Sequence, residues 1–135
     1  MDWKKYFKND KFAAHNGIKL LEVRPGYAKA QVEIKEMHHN SLGMTHGGAI
    51  FTLADFAFSC SSNAHGNIAM AINVSISFLK ATTKGMLFAE SKEVSINPNL
   101  ASYRVDVTDK KEDLIAIFHG MVYRKKEHLG RKGSK

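Results

Sequence analysis

The sequence predicts an α+β domain in which one antiparallel sheet wraps around one long central helix. Three observations lead there. Residues 48–63 carry apolar or small side chains nearly all the way round a helical wheel, so this helix is buried on most sides. Six strand-like runs flank it, two before and four after. Most neighbouring runs are joined by short turns, which pairs them antiparallel. One sheet around one helix is the economical packing of such a chain. A single helix does not cover six strands, so part of the sheet is expected to pair with another copy.

Taken in order, residues 2–15 read as one short amphipathic helix, with Trp3, Tyr6, Phe7 and Phe12 available for its apolar face. Residues 17–24 and 27–34 read as two strands joined at the turn pair Pro25-Gly26. In the second, Ala28, Ala30, Val32 and Ile34 alternate with Tyr27, Lys29, Gln31 and Glu33, the pattern of a strand with one wet face. A loop of His, Asn, Ser and Gly over residues 37–47 leads into the helix, and Gly66 is the expected stop. The four later strands fall at residues 70–79, 86–96, 101–108 and 114–124. In the first of these, Ile72, Val74, Ile76 and Phe78 alternate with Asn73, Ser75 and Ser77. Asn97-Pro98-Asn99 and the charged residues 109–113 supply turns. The domain is expected to occupy residues 1–124, with 125–135 a flexible basic tail.

The 135 residues suffice for one core and one domain. A hydrophobic content of 44% is that of a globular chain. No run of about 18 apolar residues offers a membrane span. The start carries no apolar signal core, and the single cysteine, Cys60, has no internal disulfide partner. A cytoplasmic protein is expected. The net charge of +7 suggests nucleic acid at first sight. Residues 124–135, however, hold six positive charges and one negative, which is +5 of that total. The tail therefore reads as a solubilising end, and no nucleic-acid partner is expected. No His/Cys spacing suits zinc, and no phosphate loop or dinucleotide fingerprint is present, so no metal and no separate cofactor are expected.

Asp55 is the only formally charged residue between Glu36 and Lys80. A carboxylate on a nearly all-apolar helix is costly unless something uses or satisfies it, so it is the first place to look for chemistry. Taken alone, it could equally tie the helix to a loop. At the other end of the same helix stands His46-Gly47-Gly48. The first N–H groups of a helix lack internal partners, its dipole favours negative charge there, and glycine lets a ligand oxygen come close. Gly47 is thus a candidate oxyanion donor, although the glycine pair could merely permit close packing. Gly47 and Asp55 lie eight residues apart, roughly 12 Å along a helix, whereas proton transfer needs about 3 Å or one bridging water. If both are catalytic, two copies of the chain must meet so that each site takes Gly47 from one and Asp55 from the other. His38, His39 and His65 read as polar loop residues, Ser59, Ser61 and Ser62 as small packing surfaces, and Cys60 as a small buried hydrophobe.

The run Asn40…His46-Gly47-Gly48…Phe51-x-Leu53-Ala54-Asp55-x-Ala57-Phe58 resembles the signature of the PaaI-type (phenylacetic-acid-pathway) thioesterases of the hotdog fold. Residues 76–80 (Ile-Ser-Phe-Leu-Lys) and 115–120 (Ile-Ala-Ile-Phe-His-Gly) resemble two of their strands. The similarity runs from about residue 10 to residue 124. It implies metal-free hydrolysis of acyl-CoA thioesters, with coenzyme A entering only as part of the substrate, in a homodimer that assembles further into a homotetramer. By this resemblance Gly47 N–H polarises the thioester carbonyl, and Asp55 of the neighbouring chain is either nucleophile or general base. Asn40 orients the water or the carboxylate, and His46 holds the loop and contacts the thioester region. Gly48, Phe51, Asn73 and Ser75 are expected to contact substrate. One departure stands out. Related enzymes often place Ser or Thr near the start of the strand after the helix, where this chain has no hydroxyl before Ser75; either Asn73 takes that part or the part is absent. The resemblance leaves two alternatives, a non-catalytic acyl-CoA binding module and a hotdog hydratase or dehydratase.

Overall fold

The computed structural model describes residues 1–130. The chain runs α1 (Trp3–Tyr6), a 3-10 turn (Phe7–Asn9), α2 (Lys11–His15), β1 (Lys19–Arg24), β2 (Tyr27–Ile34), a second 3-10 turn (Glu36–His38), α3 (Gly47–Asn63), β3 (Asn67–Phe78), β4 (Gly85–Ile96), β5 (Leu100–Asp109) and β6 (Leu114–His128). The six strands form one sheet in the order β1-β2-β4-β5-β6-β3, antiparallel throughout. β3 therefore leaves the end of α3, crosses to the far side and becomes an edge strand.

The inner sheet face encloses α3. Leu53, Ala54 and Ala57 are wholly buried, as are Ala28, Ala30, Val105, Val107 and Phe118 on the strands. Small residues on β2 let the sheet come close to the helix. On β6 the same is achieved by Gly120, where a Cβ would stand 2.7 Å from the Phe58 ring of α3. Phe58 in turn packs against Tyr103 and Phe118, with ring centroids 5.7 and 5.4 Å away. The C-terminal end of α3 is tied down by polar groups. Gly26 N–H donates to the Ser61 carbonyl, and the Ser61 and Ser91 hydroxyls meet at 2.7 Å. Glu93 Oε1 accepts from Tyr103 Oη at 2.7 Å and lies 2.6 Å from His65 Nε2. His65 is thus a tie between the helix end and β4.

The sheet, the strand count and the helix agree with the expectation, and β2 runs over residues 27–34 as read. Three features differ. The N-terminal helix is broken in two, because Asp10 adopts an extended conformation and caps α2 by accepting from Ala13 N–H at 2.9 Å. An Asp side chain competes with the helix for backbone donors and prefers such a cap. The break buries Phe7 and leaves Phe12 65% exposed. Second, the apolar row on β3 is not buried: Ile72 is 56% and Phe78 53% exposed. An edge strand has one neighbour, and α3 does not reach across it. A register shift between Ala71 and Asn73 leaves Ile72 without a partner in the ladder. Third, β6 continues to His128, where it pairs with Asn67, so the expected tail begins as strand. Residues 131–135 of that tail lie outside the described residues.

The close fit at Gly120 gives a stability prediction. Gly120→Ala overpacks the Phe58 contact and lowers unfolding free energy by about 1–3 kcal/mol, read from the urea midpoint. Adding Phe58→Leu recovers part of that loss if the ring contact is its cause.

Candidate functional site

The loop before α3 is held from both sides. Asn40 Oδ1 accepts from Leu42 N–H at 2.9 Å and Met44 N–H at 3.1 Å, which folds the loop on itself. Thr45 N–H donates to the Thr82 carbonyl, and the Thr82 hydroxyl donates to the Thr45 hydroxyl. His39 Nε2 donates to the Thr83 carbonyl at 2.7 Å. His38 is buried, with Nδ1 accepting from Lys35 N–H and Nε2 donating to the Asn16 carbonyl. Both of its nitrogens serve structure, and so does that of His39. Two of the three histidines read as loop residues are therefore struts that fix where α3 begins.

His46 is the N-cap of α3, with extended backbone, and its Nδ1 accepts from Gly48 N–H at 2.7 Å. That bond removes Gly48 N–H from the set of free donors, so Gly48 has no N–H to offer a ligand. Gly47 N–H has no acceptor among the described residues. The helix start thus carries one open donor at the position that the sequence singles out. A Cβ at Gly47 would lie 3.2 Å from Phe78 Cζ, so the glycine makes room for the Phe78 ring. Beside them opens a cavity of about 320 Å³, whose wall includes Thr45, Gly47, Ile50, Phe78, Lys80 and Thr82. Lys80 Nζ lies 2.6 Å from Asp113 and 3.5 Å from Asp109, which holds this lysine against the β5–β6 turn.

Asp55 lies two turns further along α3, half-buried, and no hydrogen bond or ion pair engages its carboxylate among the described residues. Burial first, and the charge of Asp10 second, push its carboxyl above the ordinary value. Cys60 is buried and its thiol is pushed far up by the same burial, which makes it an inert packing group. Gly47 and Asp55 of one chain remain roughly 12 Å apart by helical rise.

The other expected substrate contacts do not gather here. Phe51 stacks at a tilt on Phe118, 5.6 Å between centroids, as a half-buried rim of the core. Asn73 faces Met121 and Ser75 faces His119 across the β3–β6 ladder. His119 is exposed, whereas its neighbour Phe118 packs on α3. Directly paired residues share a face, so Asn73 and Ser75 point away from α3 and from both Gly47 and Asp55 of their own chain. Phe78, Thr45, Thr82 and Asp10 join the site without having been singled out. Phe78 stood within a quoted strand motif; nothing in the sequence links Asp10 to Asp55 across 45 positions.

Known structures share this architecture. A variant of the phenylacetic acid degradation protein PaaI from Thermus thermophilus superposes with a TM-score of 0.82 at 32% identity, covering 86% of this chain and all of that one. One antiparallel sheet around one long buried helix is the hotdog architecture. The family model of the thioesterase superfamily matches residues 42–116, from the loop before α3 into β6. A protein of Archaeoglobus fulgidus that bears an esterase name is 43% identical over 90% of this chain and 79% of its own length. The acyl-coenzyme A thioesterase PaaI of Escherichia coli K12 is 26% identical over 87% of this chain and 85% of its own length. The chain belongs to the thioesterase superfamily, among its PaaI-type members, and is a thioester hydrolase. No helix among the described residues is long and apolar enough to cross a membrane.

The raised carboxyl of Asp55 has a signed consequence for stability. The folded chain holds this proton more tightly than the unfolded chain does. The contribution is fully present below the unfolded value, about 4, and is lost as pH rises through the folded value. Ionised Asp55 is therefore a net cost at neutral pH. Asp55→Asn is expected to melt at a higher temperature than wild type at pH 7, with the gap closing toward pH 4. A variant that melts lower at pH 7 would show the carboxylate to be a structural tie.

Proposed function

We propose that the protein hydrolyses acyl-CoA thioesters at a site completed by two copies of the chain. The observation that carries this reading is the pair of unengaged groups on one helix: an open Gly47 N–H at its start and an unpaired, half-buried carboxylate two turns on. Neither serves its own chain, and they stand too far apart to act on one carbonyl together. Antiparallel docking of two α3 helices sets Gly47 of one copy beside Asp55 of the other. The open edge of β3, with Met70, Ile72 and Val74 exposed, supplies apolar surface and free backbone groups for such pairing. A homodimer is thus the smallest active unit; further assembly to a homotetramer agrees with the family resemblance.

The chemistry follows from the residues. Gly47 N–H donates to the thioester oxygen, and its bond strengthens as that oxygen becomes an oxyanion. Asp55 then works in one of two ways. As general base, it takes a proton from a water that attacks the carbonyl carbon; the tetrahedral oxyanion collapses, the C–S bond breaks, and the thiolate leaves and is protonated. As nucleophile, its oxygen attacks directly and displaces the thiolate, and water then cleaves the resulting anhydride. A thiolate is a good leaving group, with a parent thiol pKa of about 8.5, so neither route needs a metal. Coenzyme A enters as part of the substrate. Asn40 contributes through Nδ2, since its Oδ1 is already spent on the loop. His46 fixes the helix start through Gly48 and leaves Gly47 free.

Thiol release from a panel of acyl-CoAs tests the activity. Asp55→Asn is expected to lower kcat by roughly 100-fold or more. Gly47→Pro tests the donor. Proline is tolerated at a first helical position, and the ψ of 135° at His46 suits a following proline. Gly47→Ala adds a comparable contact with Phe78 and keeps the N–H. The proline variant should fall below the alanine variant by about 100- to 1,000-fold in kcat. Equal losses would assign Gly47 to packing. Mixing Asp55→Asn with Gly47→Pro chains and allowing subunit exchange should restore activity, because one site in each mixed dimer is intact. Inactive mixtures would place each site within a single chain. Binding of acyl-CoA without turnover in wild type would make the protein a binding module.

A further inference from the structure

The basic run that begins at Arg124 has no part in the site described so far. Residues 124–128 form the end of β6 and pair with the start of β3. Several bonds tie them there. Arg124 donates to the Asn97 carbonyl at 3.0 Å, Asn67 Nδ2 donates to the Lys125 carbonyl at 3.2 Å, and Leu129 N–H donates to the Gly66 carbonyl at 2.8 Å. This segment is therefore a fixed charged edge. We infer that Lys125 and Lys126 of the partner subunit grip the phosphate groups of coenzyme A at the site that Gly47 opens. The inference rests on the two-copy thioesterase reading above.

The need for cations comes first. Coenzyme A carries a diphosphate and a phosphate monoester, and both call for charged donors. Among the described residues, Lys80 is the only cation on the wall of the Gly47 cavity, and Asp113 and Asp109 already engage it. The end of β6 is better supplied. Lys126 is exposed, and no ion pair engages it among the described residues. Lys125 has one distant partner, Glu127 at 3.7 Å.

Placement follows from the open edge of the sheet. Two β3 edges that pair antiparallel set the start of one strand beside the end of the other. The end of β3 is Phe78, whose ring stands 3.2 Å from where a Cβ on Gly47 would be. The start of β3 pairs with β6 at Ala69–Arg124 and Asn67–His128. Lys125 and Lys126 of the partner subunit therefore lie two strand spacings from Phe78, roughly 10 Å across the joined sheet, and their side chains extend beyond that. A pantetheine arm runs about thirteen bonds from sulfur to phosphorus, roughly 15 Å when extended. A thioester held at Gly47 thus carries its phosphates to the partner's basic edge.

The experiment takes the acyl-CoA cleaved fastest in the panel above and the matching acyl-pantetheine, which has the same thioester and no phosphate. Wild type is compared with Lys125→Gln/Lys126→Gln and with Lys29→Gln/Lys92→Gln, which removes the same charge from β2 and β4. Binding of coenzyme A and of pantetheine is measured alongside by calorimetry. Loss of Lys125 and Lys126 is expected to lower kcat/KM for acyl-CoA by about tenfold or more, through KM. Acyl-pantetheine, which offers these lysines nothing to hold, should lose little, and the β2/β4 control should change neither substrate. Subunit exchange tests the position. In the mixed dimer, the intact site takes Gly47 from the Asp55→Asn chain and Asp55 from the Gly47→Pro chain. The two lysine changes should raise KM when the Gly47→Pro chain carries them and not when the Asp55→Asn chain does. Equal losses on both thioesters, no loss in a folded variant, or an effect that follows the Asp55→Asn chain would overturn the inference and leave the hydrolase reading standing. If wild type cleaves no thioester, calorimetry decides. Tighter binding of coenzyme A than of pantetheine, abolished by the two changes, keeps the phosphate grip and removes the hydrolase reading; equal binding removes both.

Discussion

The burial of α3 is the constraint on which the rest of the molecule depends. Apart from a narrow half-buried strip at Phe51, Thr52, Asp55 and Ser59, the body of the helix is buried, so the sheet closes around most of it. Ala28, Ala30 and Gly120 bring strands close where the helix is bulky, and Phe58, Tyr103 and Phe118 fill the space between. Burial also fixes the register of the helix about its axis. That in turn aims Gly47 at its cavity and keeps Asp55 from full exposure.

At the edge of this core two half-buried groups have no protein partner among the described residues. An open N–H at a helix start and a half-buried carboxylate without a cation both cost stability in an isolated chain. The rest of the structure is well satisfied: no fully buried side-chain nitrogen or oxygen among the described residues lacks a hydrogen-bond partner. Gly47 and Asp55 are each only half-buried, so water reaches both groups in an isolated chain. On the function proposed above, they trade stability for reactivity, as active sites commonly do. The charge of Asp10 adds to the imbalance, since a second carboxylate near the first favours its protonated form.

The site and the fold are incomplete in the same place. β3 is twelve residues long, stands at the sheet edge and carries apolar side chains in water. Its last residue, Phe78, rests on Gly47. Covering the edge strand and completing the reacting centre are therefore two aspects of one proposed association.

Much of this was legible in the sequence. Alternation on β2, the apolar helix, the Asn97-Pro98-Asn99 turn and the stop at Gly66 all carry local signals that tertiary context did not override. So did the isolation of Asp55 and the His46-Gly47-Gly48 start, because charge placement and helix-end chemistry are properties of short segments. The broken N-terminal helix was missed because the cap at Asp10 wins over apolar periodicity by a margin too small to read from the pattern. The exposure of β3 was missed because alternation shows which side chains seek burial, and only topology shows whether their own chain supplies it. The sequence by itself determined the six strands, the central helix and the family, and it marked the two candidate groups. Only the tertiary structure decided that Gly48 is spent on His46, that Asn73 and Ser75 face away, and that the charge of Asp10 bears on Asp55. The last two join residues tens of positions apart, and local propensity carries no record of which distant groups a fold will bring together.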